Sequence, residues 1–321
     1  MSQNAVSNPP VKARLGKLDV LRGIALIAMA TYHTGWDFEF LGYLEPGTTG
    51  HGMWKLYARC IASTFLVLVG FSLVLAHSRG IRWRPFGIRL AQIVAAALAI
   101  TIATYQFTPD SFVFFGILHQ IAAASLLGLL FLRLPAFIIA FAAAGVVAAS
   151  HFLASSAFDA PWLWPLGLSE IAIRSNDFVP IFPWFGAVLV GMALAKTFQH
   201  LNLLTLFAGN IKPAWLDKGL RFIGRHSLAF YLIHQPVLIG SVYVISQIFP
   251  PSLPASRYAG ECVQSCEATY DKALCENFCG CVMGRFQADG IFADALSGKR
   301  NPQTDPQMQE IQQICLNETG Q

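Results

Sequence analysis

Seven apolar segments of similar length constrain this chain more than any other feature. They cover residues 18–36, 54–77, 86–107, 112–132, 135–154, 180–199 and 226–248. A bilayer core of about 30 Å requires roughly 20 apolar residues in a spanning helix. Hydrophobic residues make up 55% of the chain and charged residues only 12%, which is more apolar surface than a soluble domain could bury. The sequence therefore predicts an all-α fold, a polytopic transmembrane helix bundle of about seven helices.

Basic residues are distributed unequally between the two ends of these segments. One end carries Lys12, Arg14, Lys17, Arg79, Arg82, Arg84, Arg89, Arg133, Lys196, Lys212, Lys218, Arg221 and Arg225, whereas the other has only Lys55, Arg59 and Arg174 before residue 255. Because Lys and Arg concentrate in short cytoplasmic loops, we expect a cytoplasmic N-terminus and, after seven crossings, an external C-terminus. No cleavable signal peptide is evident, so the first helix is expected to remain as an anchor.

Six of the seven cysteines lie in the last part of the chain, at Cys262, Cys266, Cys275, Cys279, Cys281 and Cys315. An even cluster in a short segment is typical of disulfides, which form in an oxidising compartment. This agrees with an external C-terminus and predicts a multi-pass protein of a bacterial inner membrane with a periplasmic tail. The formal net charge of +4 follows from this topology and indicates no nucleic-acid partner.

The spacing of the cysteines suggests how the tail is stapled. Cys262 and Cys266 share one helical face, as do Cys275 and Cys279. Two antiparallel helices could then be joined as 262–279 and 266–275, with Cys281 and Cys315 closing a larger loop, although six cysteines allow 15 pairings. A metal site is the rival interpretation, but the spacing does not fit a zinc ribbon, and no metal is expected.

These patterns divide the chain into four parts. Residues 1–17 form a basic cytoplasmic lead, and residues 18–248 form the transmembrane bundle. Residues 249–254 form a proline-rich linker, because proline cannot continue a helix. Residues 255–321 form a small helical periplasmic tail that is held by disulfides.

The first apolar segment carries four ionisable residues, which are costly in a membrane and therefore indicate function. Asp19 and Arg22 lie near its inner end, and His33 and Asp37 lie near its outer end. His33 and Asp37 share a helical face, so the carboxylate could orient the imidazole as a general base or nucleophile. The alternative is an interfacial histidine without a catalytic role.

Two further histidines are catalytic candidates. His51 lies in the loop before the second segment, where a solvated surface residue is the alternative. His119 lies inside the fourth segment and must find a partner on another helix, which could be His33. A structural hydrogen bond between helices is the alternative for His119.

The inner end offers candidates for binding a phosphorylated cofactor. Arg22 could bind phosphate through its forked donors, with Asp19 as its neighbour. Arg225 and His226 enter the seventh segment from the same side, and His234 follows inside it. A structural Asp19–Arg22 ion pair and a simple positive-inside bias are the alternatives.

Four stretches together resemble the heparan-alpha-glucosaminide N-acetyltransferase catalytic-domain family. They are LDVLRGIALIAMATYH, FGILHQIAAASLLG, FPWFGAVLVGMALA and LRFIGRHSLAFYLIHQPVL, within residues 15–248. The resemblance implies that an acetyl group passes from cytoplasmic acetyl-CoA to a sugar on the far side of the membrane. It also implies that a histidine acts as base or acetyl acceptor. His51, with Trp54 three residues later, fits one family pattern; His33 with Asp37 fits another and is favoured.

The first hypothesis is therefore a membrane acyltransferase with acetyl-CoA as co-substrate and an amine or hydroxyl of a glycan as acceptor. The alternative is a transporter or flippase of a glycan or small metabolite, since buried ionisable residues also mark substrate paths. A third reading is a scaffold whose tail docks a periplasmic partner. The lipid bilayer is the surrounding partner, and a homo-oligomer remains open.

Overall fold

A computed structural model describes residues 15–45, 47–249, 251, 255–267, 269–296, 300–302 and 304–319. Within these ranges the chain is all-helical and forms no β-strand, as the sequence predicts. The predicted basic lead (1–17) and proline-rich linker (249–254) fall largely outside the described residues.

Twelve helices are described. They are α1 (Gly16–Phe40), α2 (Gly52–Ala76), α3 (Trp83–Phe107), α4 (Ile117–Phe131), α5 (Ala136–Phe152), α6 (Ile181–His200), α7 (Ala214–Arg225), α8 (Ser227–Ile248), α9 (Ala255–Cys266), α10 (Lys272–Ala288), α11 (Phe292–Leu296) and α12 (Pro306–Glu318). Short 3-10 turns occur in the connections. The chain divides into two compact units. The first comprises the described parts of Met1–His33 with Gly52–Ile239, and the second those of Thr34–His51 with Gly240–Gln321.

Within the described part of the chain, four helices are long and apolar enough to cross a membrane. These are α2, α3, α6 and α8, while α4 and α5 are apolar but shorter. Large apolar side chains such as Leu98, Phe141 and Ile233 are exposed on these helices, where they would contact lipid. The protein is therefore a membrane protein by length and composition of its helices. The helix α1 falls outside this group, because polar and ionisable residues lower its hydropathy, and the count of seven crossings stays a prediction.

Helices α2 and α6 cross in the first unit, and each contributes a glycine that lies against the backbone of the other. A Cβ at Gly70 would lie 1.9 Å from the carbonyl oxygen of Val188, and one at Gly191 would lie 2.0 Å from that of Val67. The two backbones therefore approach more closely than any larger residue permits. Small residues have this role in membrane helices generally, because lipid provides no hydrophobic force to join them. Leu66, Val188, Leu189 and Met192 pack around this crossing, fully buried.

A second glycine pair joins α1 to α7. A Cβ at Gly224 would lie 1.9 Å from the Asp19 carbonyl oxygen, and one at Gly23 would lie 2.3 Å from that of Leu220. The start of α7 is fixed by Asp217, whose carboxylate accepts the Ile211 N–H at 3.0 Å and pairs with Arg221 at 2.9 Å. The hydrogen bond from the Ile211 N–H is the largest cause of a lowered pKa of Asp217, and the contact with Arg221 lowers that pKa further. This arrangement aligns α7 along the N-terminal half of α1.

The segment before α6 is joined to the α3–α4 connection. The Asp177 carboxylate accepts the Ile117 N–H at 2.8 Å and so caps α4, whose N-cap residue Gly116 has no side chain to do so. Backbone bonds from Asn176 to Ser111 and from Val179 to Phe115 continue this pairing. Burial raises the pKa of Asp177, and the Ile117 N–H opposes that shift. This end of the first unit is therefore tied together by the loops.

The tail is a small helical module with three disulfides. They join Cys262 to Cys279, Cys266 to Cys275 and Cys281 to Cys315, which is the arrangement that the cysteine spacing suggests. A local core of Val282, Phe286, Met308 and Ile311 lies beside the third bridge. Asp305 caps α12 at the Met308 N–H, and its bonds with Arg300 lower the pKa of Asp305.

We expect Gly191→Ala to destabilise the protein by about 1–3 kcal/mol, because the new methyl group forces α2 and α6 apart. Gly145→Ala in α5 is the matched control, since nothing lies within 4 Å of its Cβ position. The control should be neutral or slightly stabilising, because alanine favours a helix more than glycine does. Thermal unfolding of both variants in one detergent checks this. Equal melting temperatures would contradict the close crossing.

We expect loss of the 281–315 disulfide to destabilise the tail more than loss of the 266–275 disulfide. The first closes a separation of 34 residues and the second one of 9. Loop entropy makes that difference about 1 kcal/mol. The two double alanine variants are well matched, because each pair has one fully buried and one half-buried cysteine. Hydrogen exchange of α10 amides in the full-length protein measures the effect, and the reverse order would contradict it.

Candidate functional site

The ionisable residues at the N-terminal end of α1 form a network with two other helices. Arg22 donates to Asp19 at 2.9 Å and to the Ser72 hydroxyl of α2 at 2.5 Å. Asp19 also pairs with Arg225 of α7 at 3.5 Å. The Asp19 carboxylate therefore supports both guanidinium groups. The structural ion pair considered from sequence exists, and it also holds Arg22 in a fixed direction.

A cavity of about 280 Å³ opens beside Arg22. Its basic end is formed by Arg22, His77, Arg82 and Arg89. Apolar side chains of α2, α3 and α4 line the rest, among them Phe65, Leu68, Leu90, Ile93, Leu118 and Ile121. The cavity thus combines a cationic mouth with an apolar interior. Along α2 the lining runs from Phe65 to His77, which is about 18 Å at 1.5 Å per residue.

Tyr231 of α8 lines this cavity and leads to a histidine pair. The His234 ring lies one turn further along α8, with its centroid 5.6 Å from that of Tyr231. It also lies 5.0 Å from the ring of His33 at an interplanar angle of 63°. His33, which sequence analysis favoured as the key histidine, therefore contacts a histidine that had been assigned to the cofactor. The His33–His234 pair is the centre of the candidate site.

His119 lies elsewhere in the same unit. Its Nδ1 accepts the Gly116 N–H at 3.3 Å, and its Nε2 lies 3.4 Å from the Thr101 hydroxyl. The ring also lies beside Phe115. These contacts give His119 partners in the α3–α4 region, while the described ring contacts of His33 are with Tyr32 and His234. The structural interpretation of His119 accounts for all of these contacts.

His51 and Asp37 belong to the second unit. His51 is exposed, and its Nδ1 lies 2.7 Å from the Gly47 carbonyl oxygen, to which it donates. The loop that carries His51 is held by Glu39, whose carboxylate accepts the N–H groups of Gly47 and Thr49. Asp37 is fully buried on α1. Its orientation of His33 stays a prediction from the helical spacing.

Three residues at the cavity mouth were not singled out by sequence analysis. Arg82 and Arg89 had appeared only among the basic residues of the inner end, and His77 had not been considered. His226, a predicted cofactor residue, is exposed and outside the cavity lining, and its Nδ1 bonds to the Phe222 carbonyl oxygen at 2.9 Å. The signal that could have identified them is their position at the start of α3, where Arg82 directly precedes the helix and Arg89 lies in its second turn.

Comparison with known protein families gives one match. Residues 14–236 match the family described as heparan-alpha-glucosaminide N-acetyltransferase, catalytic. The chain belongs to this family. No curated protein and no solved structure matches the chain significantly. The match extends from α1 to about the middle of α8 and ends just after His234, so it includes the cavity and the histidine pair. Membership implies a membrane acetyltransferase.

Proposed function

We propose that this protein transfers an acetyl group from acetyl-CoA to an amine or hydroxyl of a glycan, with His33 as the base or acetyl acceptor. The observation that carries the proposal is the cavity, which begins at a cluster of arginines and reaches Tyr231, one helical turn from the histidine pair. A bound donor could therefore present phosphates at one end and a thioester near His33 at the other.

The mouth of the cavity suits the charged part of acetyl-CoA. Arg82 and Arg89 are exposed and Arg22 is half-buried, so phosphates could pair with them while staying hydrated. Arginine is suited to this role because its planar fork binds phosphate oxygens in pairs. At about 280 Å³ the cavity is smaller than pockets for drug-sized ligands, which are about 300–1,000 Å³. It fits the narrow pantetheine arm, with the nucleotide remaining at the mouth.

The transfer step can be written with the groups beyond Tyr231, at the end of the cavity opposite the arginines. The acceptor nitrogen or oxygen attacks the thioester carbonyl carbon, and His33 takes the acceptor proton. The carbon–sulfur bond then breaks, and the CoA thiolate leaves with that electron pair. In the two-step route, His33 is itself acetylated first and the acceptor attacks the acetyl-histidine.

The predicted membrane topology implies that the acetyl group moves from the cytoplasmic side to the periplasmic side. The basic residues predict that the cavity mouth faces the cytoplasm, where acetyl-CoA is available. The acceptor would then approach from the periplasm of a bacterium, where an envelope or exported glycan is the expected substrate class. The homo-oligomer and the partner of the tail remain predictions from the sequence.

We expect Arg82→Gln and Arg89→Gln each to weaken CoA binding by on the order of 10-fold, equivalent to about 1.4 kcal/mol. Arg84→Gln is the matched control, because Arg84 is exposed in the first turn of α3, two residues after Arg82, but lies outside the cavity lining. Titration calorimetry with CoA and with pantetheine separates the two parts of the ligand. Pantetheine affinity should be unchanged in all three variants. A similar loss with Arg84→Gln would contradict a specific phosphate site.

We expect purified protein to acetylate glucosamine from labelled acetyl-CoA, and His33→Asn to lower kcat by about 100-fold or more through loss of the base. His51→Asn, which removes an exposed loop imidazole, should retain at least a third of wild-type kcat. Mass spectrometry of the product and of the protein distinguishes direct transfer from acetyl-histidine. If wild-type protein neither binds nor consumes acetyl-CoA, the proposal fails. Uptake of glycan into liposomes without donor would then favour the transporter.

A further inference from the structure

His234 is placed to act on the donor side of the reaction. It is buried, with 8% of its surface exposed, and its ring contacts both Tyr231 at the cavity wall and His33. On its third side the ring stacks parallel to Phe230, at an interplanar angle of 5°. These three aromatic contacts fix the plane of the imidazole. His234 is therefore the ring through which the donor cavity and His33 are connected.

The hydrogen bonding of His234 determines its tautomer. Its Nδ1 lies 2.7 Å from the Tyr231 carbonyl oxygen, which can only accept a hydrogen bond. Nδ1 must therefore carry the hydrogen, and Nε2 of the neutral ring has a free electron pair. Among the described residues, Nε2 of His234 has no hydrogen-bond partner. A buried nitrogen that can accept a proton and is left unbonded is unusual in a folded protein and is typical of a functional group.

The ring of His33 lies next to that of His234. The two ring centroids are 5.0 Å apart at an interplanar angle of 63°, so the imidazoles are in edge-to-face contact. Neighbouring imidazoles are suited to relaying a proton, because each neutral ring has one nitrogen that accepts a proton and one that donates it.

We propose that His234 carries the acceptor's proton from His33 to the sulfur of the leaving CoA, a role that rests on the acetyl transfer proposed above. The acceptor loses its proton to His33, which passes it to Nε2 of His234. The carbon–sulfur bond breaks, and Nε2–H protonates the thiolate to give free CoA. Both rings then return to their neutral forms. One proton leaves the acceptor and one reaches sulfur, so the step is balanced without another reactant.

The test compares two leaving groups. His234→Asn keeps an N–H for the Tyr231 carbonyl oxygen and removes Nε2. With acetyl-CoA and glucosamine, its kcat should fall by about 100-fold, while KM for acetyl-CoA changes less than about 3-fold. With S-phenyl thioacetate as donor, the loss should be less than about 5-fold, because the more acidic aromatic thiol leaves without protonation. His33→Asn should be impaired with both donors.

Several outcomes would overturn this role. An equal loss with both donors would make His234 a structural residue only, and no loss with acetyl-CoA would exclude it from the reaction. His234→Gln provides a second variant should His234→Asn fold poorly, and thermal unfolding is measured for each. His151→Asn, an exposed histidine at the end of α5, is the control and should keep wild-type kcat with both donors. If wild-type protein lacks turnover, the acetyl-transfer proposal itself fails. If wild type is active and the donor effect is absent, only the role of His234 fails.

Discussion

The polar side chains of α1 lie among apolar helices, where a polar group costs free energy unless another polar group pairs with it. This constraint determines which helices surround α1 in the first unit. Arg22 bonds to Ser72 of α2, Asp19 pairs with Arg225 of α7, and His33 contacts His234 of α8. The glycine crossing with α7 brings the backbones close enough for the Asp19 contact. The same contacts that satisfy α1 also line one side of the cavity and form the histidine pair.

Features that depend on short stretches of sequence could be predicted well. Apolar length is a local property, and it predicted the helical membrane class. The disulfide arrangement followed from the i, i+4 spacing of Cys262/Cys266 and Cys275/Cys279, because two antiparallel helices can join such pairs in few ways. The importance of α1 was also visible, since ionisable residues in an apolar segment require partners wherever the helix packs.

The partners themselves could not be read from the sequence. His33 and His234 are some two hundred residues apart, and the sequence suggested His119, on a different helix, as the partner of His33. The choice depends on how each helix is rotated about its axis. Helices that are apolar on all sides carry little periodic signal about that rotation. It is instead set by glycine contacts such as Gly70 with Val188 and Gly191 with Val67, whose effect appears only once the helices are packed. Arg82 and Arg89 could not be distinguished in the sequence, because every basic residue at that end of the helices fits the positive-inside pattern equally well.

The distribution of polarity along the cavity also bears on how a group could cross a membrane. Moving a phosphate into the apolar interior would cost far more than any single contact could return. The arginines lie at the mouth, and the side chains beyond them are mainly apolar up to Tyr231. Only an uncharged arm would therefore enter, and the acetyl group would travel as part of a neutral thioester. Return of a proton to sulfur through the histidine pair would leave a neutral thiol at the end of the arm in the cavity, while the phosphates stay at the mouth. A reaction of this form moves no net charge through the apolar part of the bundle. It therefore avoids the cost of burying an unpaired charge beside α1.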